Sequence, residues 1–333
     1  MKGRRIFTWA LILGLLLTIT PGPSLTSVRA ARFPRLWARS NSNDAYHALV
    51  IGVPLEDIDT VSNAGAVNVL YGAALGLSTE GNQFWHQDVS GVVGAAEEGD
   101  QFGFALAAGD FNGDGYFDLA VGVPYEDVGD TSNAGLVQVF YATADGLSSA
   151  GNEMWNQGTP SIEGGVEEGD GFGYALAAGD FNGDGYDDLA VGVPFEDKAG
   201  ENDSGAVNVL YGSSMKLQAE GGQFWHQDII GTAEEYDNFG FSLAAGDFNG
   251  DGHDDLAIGV PFDDLLTNEN AGVVNVIYGF GGGLGSSSQL WYQGLGILDT
   301  AEEGDHFGYA LVTLPTLKRE IYLPLLLREV EGA

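Results

Sequence analysis

The sequence predicts an all-β fold built from repeated four-stranded units, and three observations support this prediction. A Phe-Gly pair recurs at Phe102, Phe172, Phe239 and Phe307, at spacings of 70, 67 and 68 residues. The intervals between these pairs hold short apolar runs separated by turns rich in Gly and Asp, and they hold no amphipathic pattern of about ten residues. A long repeat of short strands is typical of a β-propeller, in which each blade is a four-stranded sheet.

The four strands of one unit can be placed in order along the chain. In the unit that opens at Phe172, the first apolar run covers 172–178 and the second covers 188–193. Residues 206–211 are rich in β-branched and aromatic side chains and predict the third strand, and 223–227 predict the fourth.

The two ends of the repeated region complement each other. Residues 46–88 supply the second to fourth strands of a unit, and 305–312 supply a first strand alone. Strand 307–312 can therefore complete the N-terminal blade and leave no open sheet edge. We expect a monomeric propeller of four blades over 46–313, closed by pairing of its N- and C-terminal strands. The alternatives are an open fragment of a larger ring and a ring made by two chains.

Composition limits the classes of partner. The chain has 12 Lys and Arg against 48 Asp and Glu, a net charge of −36, which disfavours nucleic acid and anionic membrane surfaces. It has no cysteine, so disulfides and thiolate chemistry are excluded. The alternative reading of the charge is a solvated surface that only confers solubility.

The N-terminus has the features of an export signal. Lys2, Arg4 and Arg5 precede an apolar stretch at 6–19, and small residues precede a cleavage point after Ala30. We therefore expect a signal peptide at 1–30, a linker at 31–45 and a C-terminal tail at 314–333. The mature chain should be secreted or held at the cell surface, without inserting into a membrane.

The strongest chemical signal is an acidic loop that occurs three times between the first and second strands. Side-chain oxygens recur at loop positions 1, 3, 5 and 9, and a glycine at position 6 permits the turn. Oxygen ligands at this density suit Ca²⁺ better than the smaller and more rigidly octahedral Mg²⁺. With the main-chain carbonyl at position 7, the predicted ligands of three Ca²⁺ sites are Asp110, Asn112, Asp114, Tyr116 and Asp118; Asp180, Asn182, Asp184, Tyr186 and Asp188; and Asp247, Asn249, Asp251, His253 and Asp255.

The Phe-Gly pairs, these loops and the following Asp-Leu-Ala-Val-Gly-Val-Pro and Gly-Ala-Val-Asn-Val-Leu-Tyr-Gly segments resemble FG-GAP repeats. Such repeats form the propeller of integrin alpha subunits and occur in many bacterial surface proteins. The resemblance implies calcium-stabilised blades and a role in adhesion or ligand binding. The repeats here are longer than is usual for the family, and there are four units where the integrin ring has seven.

Two other features bear on function. Trp85, Trp155, Trp225 and Trp291 hold equivalent places in the fourth strand, where they either pack between blades or form a sugar-binding ring. No G-x-S-x-G, P-loop or H-E-x-x-H motif is present, so we expect no enzyme. The alternative is a secreted lectin or a hydrolase that uses the tryptophans or the loop carboxylates.

Strand order also predicts where a ligand would bind. The loops between second and third strands, and those between blades, should share the face opposite the calcium loops, and both sets are acidic. We expect this face to bind an extracellular protein or glycan, and its negative charge favours a basic partner. The candidate residues are Glu56, Asp57, Glu97, Glu98, Glu126, Asp127, Glu167, Glu168, Glu196, Asp197, Glu234, Glu235, Glu302 and Glu303.

Overall fold

The computed structural model describes residues 46–314, apart from Ala199 and Leu266, and arranges them in four antiparallel sheets. The first sheet has three strands and the others have four, each in meander order. The first comprises β1 (Leu49–Val53), β2 (Ala66–Ala73) and β3 (Gly76–Trp85). The second comprises β4 (Ala105–Gly109), β5 (Asp118–Val123), β6 (Leu136–Thr143) and β7 (Gly146–Trp155).

The remaining sheets repeat this pattern. The third comprises β8 (Ala175–Gly179), β9 (Asp188–Val193), β10 (Ala206–Tyr211) and β11 (Gln218–Trp225). A four-residue helix, α1 (Gln227–Ile230), follows it. The fourth sheet comprises β12 (Ser242–Gly246), β13 (Asp255–Val260), β14 (Val273–Phe280) and β15 (Gly283–Trp291). The predicted all-β fold is confirmed, and in the third sheet the second and third strands coincide with the predicted bounds.

The core lies between consecutive sheets. Val67, Val69 and Trp85 of the first sheet pack against Leu119 and Val121 of the second. Equivalent apolar clusters join the second sheet to the third and the third to the fourth. Sheets that bury their faces against their neighbours are arranged like propeller blades. One cavity of about 240 Å³ is lined by the first strands of three sheets and by the C-terminal segment, at 106–108, 176–178, 243–245 and 311–313.

Each Phe-Gly pair docks onto the sheet before it. The amide of Phe172 donates to the carbonyl of Ala134 at 2.9 Å, and the Phe172 ring is fully buried. A Cβ on Gly122 of β5 would overlap the carbonyl oxygen of Gly173, so the backbones approach more closely than any side chain permits. The same contact joins Gly52 to Gly103, Gly192 to Gly240, and Gly259 to Gly308.

The predicted closure of the ring is not confirmed. Residues 305–314 form turns and irregular backbone, and among the described residues β1 pairs with β2 alone. The C-terminal segment docks on the fourth sheet as the other Phe-Gly pairs dock on the sheets before them: the Phe307 amide donates to the Ala271 carbonyl at 2.9 Å, and Ser242 Oγ donates to the Gly308 carbonyl at 2.6 Å. Among residues 46–314 no strand pairs with the other edge of β1.

The predicted signal peptide at 1–30, the linker at 31–45 and the tail from 315 onward lie outside the described residues. In the part of the chain that the structure describes, no helix is long and apolar enough to cross a membrane.

Candidate metal centre

The three acidic loops occupy equivalent places in the second, third and fourth sheets. Each loop leaves the first strand of its sheet and ends on the first residue of the second strand, which is Asp118, Asp188 or Asp255. The tight turn requires left-handed backbone at two glycines, and in the first loop Gly113 and Gly115 have φ of 70° and 87°. The loops therefore lie between the first and second strands of their sheets, as predicted.

In the first loop the backbone wraps around the carboxylate at position 1. Asp110 Oδ1 accepts from the amide of Asp114 at 3.0 Å, and Asp110 Oδ2 accepts from the amide of Gly115 at 2.9 Å. Asn112 Oδ1 also accepts from the amide of Asp114, at 2.9 Å, and Asp114 Oδ1 accepts from that of Tyr116 at 2.9 Å. The side-chain oxygens at positions 1, 3 and 5 therefore all point into the turn.

The second and third loops repeat this hydrogen bonding. Asp180 Oδ2 accepts from the amide of Gly185 at 2.9 Å, and Asp247 Oδ2 accepts from that of Gly252 at 3.0 Å. Within 46–314, residues 199 and 266 excepted, no three acidic or histidine side chains converge as a metal cluster. The oxygens instead face backbone N–H groups. A carboxylate oxygen that accepts one such bond retains a second lone pair for a cation.

The carboxylate at position 9 is buried and anchored to the neighbouring strand. Asp118 Oδ1 accepts from the amide of Ala142 at 2.8 Å, and Asp188 Oδ1 accepts from that of Gly212 at 2.9 Å. Asp188 Oδ2 also accepts from the amide of Phe181, at 3.0 Å. These bonds tie the end of each loop to its sheet.

The electrostatics of the loops favour a positive charge. Burial, together with the nearby carboxylates of Asp114 and Asp110, raises the pKa of Asp118 to about 7. Burial and the loop carboxylates likewise raise the pKa of Asp188 to about 8, and the pKa of Asp255 is raised for the same reasons. Each loop thus holds a buried carboxyl group close to other negative charges, which a bound cation would stabilise.

Two further aspartates link neighbouring loops, and our sequence interpretation missed them. Asp187 Oδ2 accepts from the amide of Asp110 at 2.7 Å, and Asp254 Oδ2 accepts from that of Asp180 at 3.1 Å. Both lie at position 8, where the first loop has Phe117, which is 70% exposed. The doubled aspartate at the end of the second and third loops is the sequence signal that could have identified them.

The acidic residues predicted on the opposite face divide into two groups. Glu97, Glu98 and their equivalents in the later inter-sheet loops are exposed, as predicted. Glu126 and Glu196 are instead buried between sheets, with exposed fractions of 8% and 2%. Gln87 Nε2 donates to Glu126 Oε2 at 2.7 Å, and the equivalent glutamine of the next sheet binds Glu196 in the same way. These two carboxyl groups therefore hold sheets together and are not available to a ligand.

The tryptophans do not form an exposed ring. Trp85 and Trp225 are 7% and 6% exposed and belong to the cores between sheets. Trp155 is partly buried and packs against the core between the second and third sheets. Trp291, in the last strand, is 37% exposed.

Comparison with known proteins agrees with this repeated geometry. The family model for the FG-GAP repeat matches residues 102–140, 172–210 and 239–277. The chain contains three FG-GAP repeats. Each match begins at a Phe-Gly pair and ends in the third strand of the same sheet, so the acidic loop lies inside every repeat.

The chain is similar to integrin alpha subunits and to a phospholipase. Integrin alpha-8 of Mus musculus is 30% identical over 224 residues, which are 66% of this chain and 19% of that protein. Integrin alpha-PS2 of Drosophila melanogaster is 35% identical over 165 residues, 48% of the chain and 11% of that protein. Phosphatidylinositol-glycan-specific phospholipase D of Homo sapiens is 37% identical over 163 residues, which are 49% of this chain and 19% of that protein. The chain thus spans a fifth or less of the length of these relatives.

Proposed function

We propose that the chain is an exported calcium-binding module whose four sheets act within a closed β-propeller to bind a ligand outside the cytoplasm. The observation that carries this proposal is the buried aspartate at the end of each FG-GAP loop, held close to the other carboxylates of its loop. Buried like charges destabilise a fold unless a cation or a proton neutralises them.

The donor set of each loop fits Ca²⁺. Three carboxylates, one amide oxygen and one main-chain carbonyl give at least five oxygen atoms, and water can supply the rest of the 6–8 that Ca²⁺ takes. Bound Ca²⁺ would supply the positive charge that the loop lacks. The protein residues that would hold it are Asp110, Asn112, Asp114, Tyr116 and Asp118 in the first loop and their equivalents in the other two.

Adhesion or ligand binding is supported by the similarity to integrin alpha subunits. The predicted signal at 1–30 supports export, and the high negative charge supports an extracellular protein or glycan partner over nucleic acid. Because the tryptophans of the first three sheets pack inside the protein, the structure gives no support to a sugar-binding tryptophan ring. We propose binding and not catalysis as the role of the chain.

Titration calorimetry with CaCl₂ tests the metal proposal. We expect three bound Ca²⁺ per chain, and two after Asp184→Asn, since this exposed ligand serves one loop alone. Asp130→Asn is the matched control, because Asp130 is exposed and lies outside the loops. Absence of binding heat in the unaltered chain, with no change in melting temperature on chelation, would remove calcium from the proposal.

Capture of ligand tests the binding proposal. We expect the purified chain to retain proteins or glycans from the outer envelope of the producing cells, with less retained after chelation. Replacing Glu97, Glu98, Glu167 and Glu168 by glutamine should weaken capture of a basic partner and reduce its dependence on salt. Equal capture by this variant and the unaltered chain would leave the exposed acidic loops as a solubility device.

A further inference from the structure

A repeated polar clasp joins the outer strands of consecutive sheets. Between the first and second sheets, Tyr71 Oη donates to Gln83 Oε1 at 2.6 Å, and Gln83 Nε2 donates to the Leu147 carbonyl at 2.8 Å. Between the third and fourth sheets, Gln223 Nε2 donates to the Leu284 carbonyl at 2.8 Å, and the Leu284 amide donates back to Gln223 Oε1 at 3.0 Å. The glutamine of one sheet thus binds the leucine backbone of the next.

The junction between the second and third sheets uses a charged version of this clasp. Glu153 replaces the glutamine and accepts from Tyr141 Oη at 2.6 Å. Lys216 precedes Leu217, whose amide donates to Tyr141 Oη at 3.3 Å, and Lys216 Nζ lies 3.6 Å from Glu153 Oε1. At the other two junctions the residue before the leucine is glycine, Gly146 or Gly283. Glutamine is therefore matched with glycine, and glutamate with lysine.

The two ends of the array carry the two halves of an unmade clasp. At the C-terminal end, Tyr278 and Gln289 line an open cavity of about 520 Å³. At the N-terminal end, Gly76 precedes Leu77, which is 53% exposed. The combination is glutamine with glycine, as at the first and third junctions, so the clasp itself brings no charged side chain into the contact.

The apolar surfaces of the ends match in the same way. Trp291 is 37% exposed, whereas Trp225 at the equivalent place is 6% exposed because the next sheet covers it. On the other side of a junction, Ile51 is 39% exposed and its equivalent Val121 is fully buried. Each end therefore shows the half of the interface that the other end lacks.

All three internal junctions are formed in the structure while both ends of the array stay exposed. Each junction contains the glycine-to-glycine backbone contact described above, which is too close to admit a side chain. With all three internal junctions formed, Ile51 and Trp291 both remain open to solvent. A second copy of the chain can supply the missing partner at each end without altering any internal junction.

We propose that the C-terminal sheet of one copy packs against the N-terminal sheet of a second copy, and that two such contacts close a two-chain ring of eight sheets. In this ring 307–312 of each copy lies beside β1 of the other and covers its free edge. Eight blades lie within the usual range of propellers, and a head-to-tail contact closes into a ring when its rotation allows. Ile51 and Trp291 are not calcium ligands, but Asn249 and Asp251 line the same cavity as Gln289, so the mass of the chain is to be measured both in Ca²⁺ and in chelator.

Light scattering after size-exclusion chromatography tests the proposal over a range of protein concentrations. We expect twice the mass of one chain, and monomers for Ile51→Asp and for Trp291→Glu, since either change buries a charge in the contact. Leu75→Asp is the control and should stay dimeric, because Leu75 is fully exposed in the turn between β2 and β3. Mixing the two monomeric variants should restore a dimer, because one intact contact remains possible between them. A monomeric unaltered chain, or larger polymers, would overturn the two-chain ring.

Disulfide trapping provides a second test that does not require disruptive variants. The chain has no cysteine, so Leu77→Cys and Gln289→Cys place one thiol each on the two halves of the clasp. After oxidation, a mixture of the two single variants should give a covalent dimer of one copy of each. A chain carrying both substitutions should form cross-links between copies. A cross-link found only within single chains would show that the chain closes on itself and would refute the second copy.

Discussion

Gly122 of β5 and Gly173 of the following repeat pack backbone against backbone. A Cβ on Gly122 would overlap the carbonyl oxygen of Gly173, and Gly173 is itself held in place because its amide donates to the Gly192 carbonyl at 3.2 Å. The Gly-Val-Pro and Phe-Gly segments of an FG-GAP repeat are therefore two sides of one contact, made between successive repeats.

Gly122→Ala should separate the second sheet from the third. We expect a loss of stability on the order of 3 kcal/mol, because overpacking against backbone cannot be relieved by a rotamer change. Gly281→Ala is the control, since Gly281 has no atom within 4 Å of the added Cβ. Urea denaturation measures both, and equal midpoints for the two variants would contradict the contact.

Asp184→Asn should destabilise the protein only when calcium is present. The asparagine can still accept from the Tyr186 amide as Asp184 Oδ1 does at 3.0 Å, so the loop should keep its shape without metal. With free Ca²⁺ at a hundred times the dissociation constant, loss of one site removes about 2.7 kcal/mol. Melting curves in Ca²⁺ and in chelator measure the difference, and a shift of the same size in both conditions would show that Asp184 is not a calcium ligand.

Much of the fold and of the loops could be predicted from the sequence because those features are local. Alternating strand runs, turn glycines and the spacing from Asp110 to Asp118 depend on residues close together along the chain. The loops were therefore placed in the right turns of the right sheets.

The residues that join sheets could not be predicted in the same way. Asp187 binds the backbone of Asp110 across a separation of 77 residues, and Glu126 meets Gln87 across 39. Such pairs depend on the angle and spacing between sheets, which no local pattern contains. For the same reason Glu126 was assigned to an exposed loop, although the neighbouring sheet buries it.

Stability should fall as the pH rises, through the carboxyl groups buried between sheets. Burial, reinforced by the nearby charge of Asp100 and opposed by the hydrogen bond from Gln87, raises the pKa of Glu126 to about 8. The unfolded chain releases this proton near the ordinary glutamate pKa of about 4.3. The folded state therefore holds more protons between these values, so the stability that Glu126 contributes is fully present below about pH 4 and is lost progressively up to about pH 8.

Glu126→Gln should flatten this dependence. The glutamine keeps an oxygen for Gln87 Nε2 but has no proton to lose. Asp127→Asn is the control, because Asp127 is exposed beside it. Melting temperatures between about pH 5 and pH 8.5, at saturating Ca²⁺ so that the loop carboxylates stay ionised, measure the slope. A variant slope equal to that of the unaltered chain would exclude Glu126 as the titrating group.

Glu153 and Lys216 should behave as a coupled pair at the junction between the second and third sheets. Lys216 Nζ lies 3.6 Å from Glu153 Oε1 and 4.0 Å from the centre of the Tyr141 ring. Glu153→Gln alone leaves the lysine without its partner, and Lys216→Gly alone leaves the glutamate without a cation. The double variant reproduces the glutamine and glycine of the other junctions, and glycine also suits the φ of 78° at this position. We expect the double variant to be more stable than the sum of the two single changes by about 0.5–1 kcal/mol.

The control combines Lys216→Gly with Glu80→Gln, since Glu80 is a distant exposed residue of the first sheet. The losses of stability of these two changes, measured by urea denaturation, should add. Additivity in the Glu153 pair as well would mean that the charged clasp contributes nothing to the junction.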